Sequence, residues 1–477
     1  MTPIRTRFAP SPTGYLHVGG IRTALFAYLV ARQAGGQFVL RFEDTDKKRE
    51  VAGSAEHLIT SLRAIGLDYD EGPDIGGPYV PYIQSQRLDR YRAVAEQLVA
   101  EGRAYADPYT ARDMERFRAE AMAAKKPFLY RDHRPENPPV WDGSMPLRFK
   151  SDPRAYTWHD EVMGDIQTGP EVVDDFILIK SDGYPTYNFA HVIDDRDMEI
   201  THIMRGQEFL SSMPNYLNLY EALGLKLPTF AHLPHILNEQ GNKKLGKRDG
   251  AKDVLDYTRD GYLGEALMSF IATMGWNDGT EQETYTRDEL IERFSLGKVQ
   301  RSSARFDEKR LLWVNGQFIR SLPLEKLYAR TADFWPAEAA TATEDYKKQV
   351  LALAQDRLKT LADLRQFTYF FAPPSENPAL ITDNKQLKKL ALSEIDDLMR
   401  AAYAKLAAVA AGQWDAETIQ TALNELLEET GQKPGILFSL IRIYTTWAPF
   451  SPELPATLTL LGQTATLDRL SSQSPLH

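Results

Sequence analysis

A histidine stands two residues ahead of a glycine pair in the stretch 7–20, R-F-A-P-S-P-T-G-Y-L-H-V-G-G. Such an imidazole, His17, can donate a hydrogen bond to phosphate oxygens as negative charge develops on them, which stabilises a transition state without covalent chemistry. Gly19 and Gly20 put no side chain in the path of an anion approaching the backbone N–H groups of a following helix. The competing reading of these residues alone is a capped loop with a satisfied histidine. Two further stretches suit the same ligand. Residues 43–46, E-D-T-D, gather acids, and residues 241–249, G-N-K-K-L-G-K-R-D, place four cations within six positions. The basic run matches seven of the eight spacing positions of the phosphate loop G-x-x-x-x-G-K-[ST]. Arg248 nevertheless replaces the hydroxyl that would bind magnesium, and residues 237–240 are not strand-like, so a mobile basic loop closing over a triphosphate is the better reading.

The flanking pattern says what positions these groups. Residues 4–9 alternate like a short strand, Pro10, Pro12 and Gly14 interrupt regular structure, and 21–34 has helical apolar spacing. A second strand over 37–42 ends at the acidic turn, where ligands of open α/β sheets gather. A helix is expected over 54–65, an irregular loop over 72–81, and a helix capped by Ser85 running to Glu101. From 105 to 185 the pattern changes to a charged helix over 110–124, a Pro-rich stretch and strands over 145–150 and 176–180. This reads as an inserted α+β module whose Lys125, Lys126, Arg131, Arg134, Arg148 and Lys150 could track a phosphate backbone. The α/β pattern then resumes, with strands over 200–204 and 230–233 and a helix over 208–223. Helices follow over 261–274 and 286–294, and beyond 324 helical periodicity dominates, with one strand candidate at 457–461.

At 477 residues and 43% hydrophobic the chain can bury several cores. It contains no cysteine, which rules out disulfides and thiolate metal sites, and no structural metal is expected. No apolar run approaches a membrane span, and no basic-then-apolar leader opens the chain, so a cytoplasmic location is expected. The net charge of −10 argues at first against a nucleic-acid partner, but clustering matters more than the total. Residues 241–330 hold 16 Lys and Arg against 14 Asp and Glu, while 376–477 hold 8 against 12, so the middle is the less acidic part.

The segment 7–20 resembles the H-I-G-H element of class I aminoacyl-tRNA synthetases, in the A-P-S-P-T-G-x-L-H-V-G form of glutamyl-tRNA synthetases. Residues 244–248, K-L-G-K-R, resemble the K-M-S-K-S element in its glutamyl variant, with Gly246 where Ser is usual, and 306–315, F-D-E-K-R-L-L-W-V-N, resemble the stem-contact segment. The resemblance implies an α/β catalytic domain with a Rossmann-like parallel sheet, split by the α+β insertion and followed by an all-α anticodon-binding half. The implied boundaries are 1–104 and 186–240 for the catalytic domain, 105–185 for the acceptor-end insertion, 241–323 for the stem-contact domain, and 324–375 and 376–477 for two helical domains.

A ligand with one ammonium and two carboxylates needs an acid and two fixed cations, ideally arginines. Arg7, Glu43 and Arg205, each near a strand end, could supply them. The resemblance implies that Arg7, Ser11, Glu43, Tyr187 and Arg205 line the glutamate pocket. His191 falls in the same patch, either reading the substrate or packing. It implies that His17 and Lys247 counter charge on the leaving pyrophosphate, that Lys244 and Arg248 assist, that Gly19, Gly20 and Glu208 contact ATP, and that Asp46 and Arg357 contact tRNA. The competing readings are a buried ion pair with Glu208 for Arg205, and an exposed ion pair for Arg357.

The implied reaction joins glutamate to ATP as glutamyl-adenylate and then transfers it to tRNA(Glu), with tRNA(Gln) left open. ATP and the magnesium ion it carries are the expected cofactors, without zinc, and a monomer without membrane contact is expected. Within the class, glutaminyl-tRNA synthetase is disfavoured because it ends in β-barrels, and a tRNA-modifying relative would stop before the C-terminal half. A tRNA-binding paralogue without catalysis is the reading from another class, and intact His17, Glu43, Arg205 and Lys247 argue against it.

Overall fold

A computed structural model describes residues 3–246 and 252–471 of the chain. The first strand, β1 (Arg5–Phe8), leads through the Pro-Gly loop into helix α1 (Val18–Gln33) and returns in β2 (Gln37–Leu40). The return is tight. Gln37 N–H donates to the Ile4 carbonyl at 2.9 Å, and a Cβ on Gly36 would sit on that carbonyl, so only glycine fits the corner. Helix α2 (Ser54–Ala64) and helix α3 (Leu88–Ala100) follow, then strand β3 (Ala104–Ala106) and helix α4 (Ala111–Ala123). Thr110 and Asp113 form a capping box that starts α4 where the sequence places it. The expected cap at Ser85 is not formed. Its hydroxyl and N–H go instead to Asp44 at 2.5 and 2.8 Å, and Arg87 occupies the cap position, because a buried acid competes for the same donors.

Strands β4 (Leu147–Phe149), β5 (Tyr156–Asp160), β6 (Gly164–Thr168) and β7 (Ile177–Ile179) come next. Helix α5 (Tyr187–Asp197), strand β8 (His202–Gly206), helix α6 (Met213–Ala222) and strand β9 (Thr229–Leu233) complete the α/β part. The main sheet has the order β2-β1-β8-β9-β5-β6 and is parallel except for the edge strand β6, while β3, β4 and β7 form a separate antiparallel sheet. Residues 105–185 are therefore not a wholly separate module: their β5–β6 hairpin extends the main sheet. The hairpin was not legible because its outer strand β6 is only half-buried and lacks an apolar alternation.

Other boundaries shift for local reasons. The expected helix over 208–223 opens as a 3₁₀ turn, Gln207–Ser212, with Pro214 in the first turn of α6. Leu237 ends a two-residue strand, Ile236–Leu237, that pairs with Ala304–Arg305. The strand candidate at 457–461 is part of a helix, Leu454–Leu461, entered through Pro455. There the Thr459 hydroxyl donates to the Pro455 carbonyl at 2.9 Å, and Leu454, Thr457 and Leu458 face the core, so packing overrides β propensity.

The chain divides into two compact units, 1–258 with 264–311, and 259–263 with 312–477. The stretch expected as a stem-contact domain, 241–323, is thus shared between them. In the second unit the short segment is tied in by Leu263 N–H to Asn315 Oδ1 at 2.8 Å and Leu361 N–H to the Gly261 carbonyl at 2.9 Å. Described residues beyond Arg305 form helices and turns but no strand. The six-helix core beyond 379 is built on Leu398, Leu423, Leu440 and Leu458 among others. No described helix is long and apolar enough to cross a membrane.

Candidate active site

The strand β1 carries R-T-R-F and buries all four side chains, so its arginines must find acids inside. Arg5 pairs with Glu71 at 2.7 Å. Arg7 pairs with Asp195 through Nε at 3.1 Å and also donates to the Met204 carbonyl at 3.2 Å. Asp195 in turn accepts from Arg41 at 2.8 Å, and Arg41 donates to Glu43 at 2.9 Å. Arg7, Asp195, Arg41 and Glu43 therefore form one buried chain of alternating charge. Burial acts to raise Asp195, but the Arg7 and Arg41 guanidinium groups outweigh it and hold the carboxyl well below its usual range. Burial pushes Glu43 the other way, above its usual range, against the pull of Arg41 and Arg7. One Glu43 oxygen accepts from Arg41, and among the described residues the other has no hydrogen-bond partner. It is suited to receive an ammonium group.

A cavity of about 1090 Å³ opens at the C-terminal ends of β1, β2, β8 and β9. It lies where the chain order reverses between β1 and β8, the place where open α/β sheets bind ligands. Arg7, Glu43 and Arg205 converge on this one space, with Ser11 and Tyr187 on its wall. His17, Gly19 and Gly20 also line it, as do Asp46, Glu208 and Lys244. His17 is the N-cap of α1: its Nδ1 accepts from Gly19 N–H at 3.1 Å. Accepting at Nδ1 leaves the neutral ring its proton on Nε2. Glu208 pairs with Lys244 at 3.2 Å, where its backbone N–H and Lys244 outweigh burial and keep the carboxyl below its usual range.

Arg205 makes no ion pair with Glu208 or with any other described acid. Its Nε donates to His232 Nε2 at 3.0 Å, its Nη1 lies 3.3 Å from His191 Nε2, and its Nη2 lies 2.9 Å from the Met213 sulfur. His191 does not line the cavity. It stacks on Tyr187 and donates from Nδ1 to the Tyr187 carbonyl at 2.8 Å, so its ring packs beneath the pocket wall with Nε2 turned to Arg205.

Burial, with the Arg205 charge beside it, lowers His191 from 6.5 to about 3. In the unfolded chain the ring has its ordinary value, so between those limits only the unfolded chain binds the proton. Stability from this ring is present above about pH 6.5 and is lost as the pH falls, by up to ~1.4 kcal/mol per unit. Urea unfolding at pH 7 and 5.5 should therefore show a drop that is smaller by about 1 kcal/mol in His191→Asn than in the parent chain.

Arg357 lies in the second unit, exposed and with no ion pair among the described residues, next to Arg442. Lys247 and Arg248 lie outside the described residues. In the 105–185 stretch, Arg148 and Arg134 are consumed by Asp107 and Asp175, each at 2.6 Å, and Arg131 by the Pro170 and Val173 carbonyls. Only Lys125, Lys126 and Lys150 of the expected basic set are exposed lysines there.

Residues 3–313 match the family model for the class I tRNA synthetase (E and Q) catalytic domain, and 326–473 match an anticodon binding domain. A glutamate–tRNA ligase of Dehalococcoides mccartyi is 40% identical, covering 98% of this chain and 96% of its own. This chain belongs to the glutamate–tRNA ligase family. A relative from Roseiflexus, also a glutamate–tRNA ligase, is 40% identical with the same coverage. Among solved structures, a glutamate tRNA ligase from Elizabethkingia meningosepticum in complex with its amino acid superimposes with a TM-score of 0.85 at 32% identity, over 98% of both chains. Members of this family use ATP.

Several site residues escaped the sequence reading. Asp195, Arg41, His232 and Asp160 are buried partners of the arginines, and Arg22 is a buried cation on the cavity wall. Arg22 donates to the Met274 and Pro234 carbonyls, and burial lowers it to about 10. The signal that was present is the R-T-R of β1 and the D-D of 194–195: charges in strongly patterned elements imply partners, but not which ones.

Proposed function

We propose that this chain activates glutamate with ATP and transfers the glutamyl group to the terminal ribose of tRNA(Glu). The observation that carries the reading is the convergence of Glu43, Arg7 and Arg205 on one cavity beside the N-terminus of α1. The relative solved with its amino acid supports it. In this reading Glu43 holds the α-ammonium group, and Arg7 and Arg205 hold the carboxylates, with Ser11 and Tyr187 closing the pocket. The α-carboxylate oxygen attacks the α-phosphorus, the bond to the bridging oxygen breaks, and pyrophosphate leaves with the electron pair. His17 from Nε2, the α1 N–H groups at Gly19 and Gly20, and Lys247 stabilise the charge that builds there, assisted by Lys244 and Arg248. Glu208 contacts the nucleotide. The ribose hydroxyl then attacks the acyl carbon and AMP leaves. Magnesium would arrive on the triphosphate. No zinc is needed in this reading.

The 105–185 stretch would hold the acceptor end, with Asp46 beside it at the cavity, and the helical unit would read the anticodon with Arg357. Aminoacylation of purified tRNA(Glu) and tRNA(Gln), with pyrophosphate exchange in the presence and absence of tRNA, tests the whole reading. Charging of neither tRNA and no exchange would leave only a binding protein. Lys247→Ala is expected to slow adenylate formation by about 10²-fold or more while changing glutamate binding little. Equal losses in both would remove Lys247 from the chemistry.

A further inference from the structure

Arg205 and His232 stand directly opposite each other on β8 and β9. Arg205 Nε donates to His232 Nε2 at 3.0 Å, and His232 Nδ1 lies 2.6 Å from Asp160 Oδ2, at the end of β5. Asp160 is further fixed by the N–H groups of Val162 and Met163, at 3.0 and 2.9 Å, and by that of His232 at 3.2 Å. Arg205, His232 and Asp160 are 4%, 0% and 0% exposed, so water replaces none of these bonds.

The direction of the chain follows from the donors. Asp160 is held ionised by its N–H donors and His232, and burial keeps the His232 ring neutral. The ring proton therefore sits on Nδ1, bonded to Asp160, and the Nε2 lone pair faces Arg205. His191 presents its own Nε2 to the same guanidinium. Arg7 and Arg5 are each oriented by a carboxylate; Arg205 alone of the three is oriented by neutral acceptors. A carboxylate partner would neutralise a buried arginine, whereas an imidazole lone pair fixes its plane and leaves its charge uncompensated. That charge is then available to a carboxylate ligand.

We propose that His232, fixed in its tautomer by Asp160, is a positioning residue that aims Arg205 at a carboxylate of the amino-acid substrate. The proposal rests on the reading above in which Arg205 binds a glutamate carboxylate. A glutamine side chain at 232 can place a polar atom near the Nε2 position and still accept from Arg205, whereas asparagine reaches only the Nδ1 position and leaves Arg205 Nε without a partner. The two variants are similar in polarity and burden the fold alike, so they separate positioning from general damage.

The test is steady-state aminoacylation by the full chain, with KM for glutamate, KM for ATP and kcat measured for His232→Gln, His232→Asn, Asp160→Asn and Arg205→Ala. His232→Gln should keep the glutamate KM within about threefold of the parent, and His232→Asn should raise it about tenfold or more, with the ATP KM of both changed less than about twofold. Asp160→Asn, which cannot hold the Nδ1 tautomer as an anion does, should raise the glutamate KM as His232→Asn does. Equal glutamate KM values for the two His232 variants, or parallel rises for glutamate and ATP, would overturn the proposal. If Arg205→Ala leaves the glutamate KM unchanged, the reading of Arg205 itself falls; if it raises that KM and His232→Asn does not, only the positioning role falls.

Discussion

Arg205→Ala is expected to lower kcat/KM for glutamate by about 10³-fold, equivalent to ~4 kcal/mol, while leaving the ATP KM within a few-fold of the parent. The size follows from burial and from the lack of a resident acid. Arg205 is 4% exposed, sits over the rings of Tyr216 and Phe209 at 4.8 and 5.2 Å, and has only neutral hydrogen-bond partners. A substrate carboxylate would be its first counter-charge, in a setting that screens the pair little. Truncation removes that charge and leaves the incoming carboxylate to be desolvated without compensation. Arg205→Lys should recover little, since one ammonium cannot meet both His232 and a carboxylate in the fork geometry of the guanidinium. Separate measurement of the glutamate and ATP constants checks the expectation; a loss shared equally between them would mean that the sheet edge, not the pocket, has been damaged.

The second large effect is on stability. Asp195→Ala should cost about 3–5 kcal/mol of unfolding free energy, read by urea denaturation of the parent and variant side by side. Asp195 is the shared partner of Arg7 and Arg41, at 3.1 and 2.8 Å, and all three side chains are nearly inaccessible. Without it the buried Arg7 and Arg41 guanidinium groups lose the carboxylate they share, and the acids that remain beside Arg41 are Glu43 at 2.9 Å and Asp194 at 3.7 Å. Asp195→Asn keeps an acceptor but not the charge, and should fall between the two. By contrast, the exposed Arg400–Asp397 pair is short at 2.6 Å yet should be removable without measurable change, because water already screens it.

These residues also mark the limit of what the sequence reveals. The loop at 7–20, the convergence of Arg7, Glu43 and Arg205, and the helical second unit follow from local patterns: turn residues, strand ends and apolar spacing. The start of the charged helix at Thr110 is local too, and it lies where expected. What was hidden is non-local. Arg7 and Asp195 are 188 positions apart, and Arg205 could have been balanced by Glu208 three residues on, yet its neighbours are two histidines. The same competition between partners redirected Ser85 from a helix cap to Asp44, and absorbed Arg134 and Arg148 into internal ion pairs. Spacing identifies groups able to interact; only the fold decides which of the available partners each one takes.

The pairing of β5 with β9 has a practical bearing on any attempt to trim the enzyme. Cutting out 105–185 as a cassette would leave β9 with a raw edge and would strip Asp160 from behind His232. A shortened version that keeps a working amino-acid pocket must instead splice within the antiparallel β3-β4-β7 layer and retain the 156–168 hairpin. The cavity proposed for the amino acid thus depends, through Asp160 and His232, on chain that looks, from its position in the sequence, as if it served another substrate.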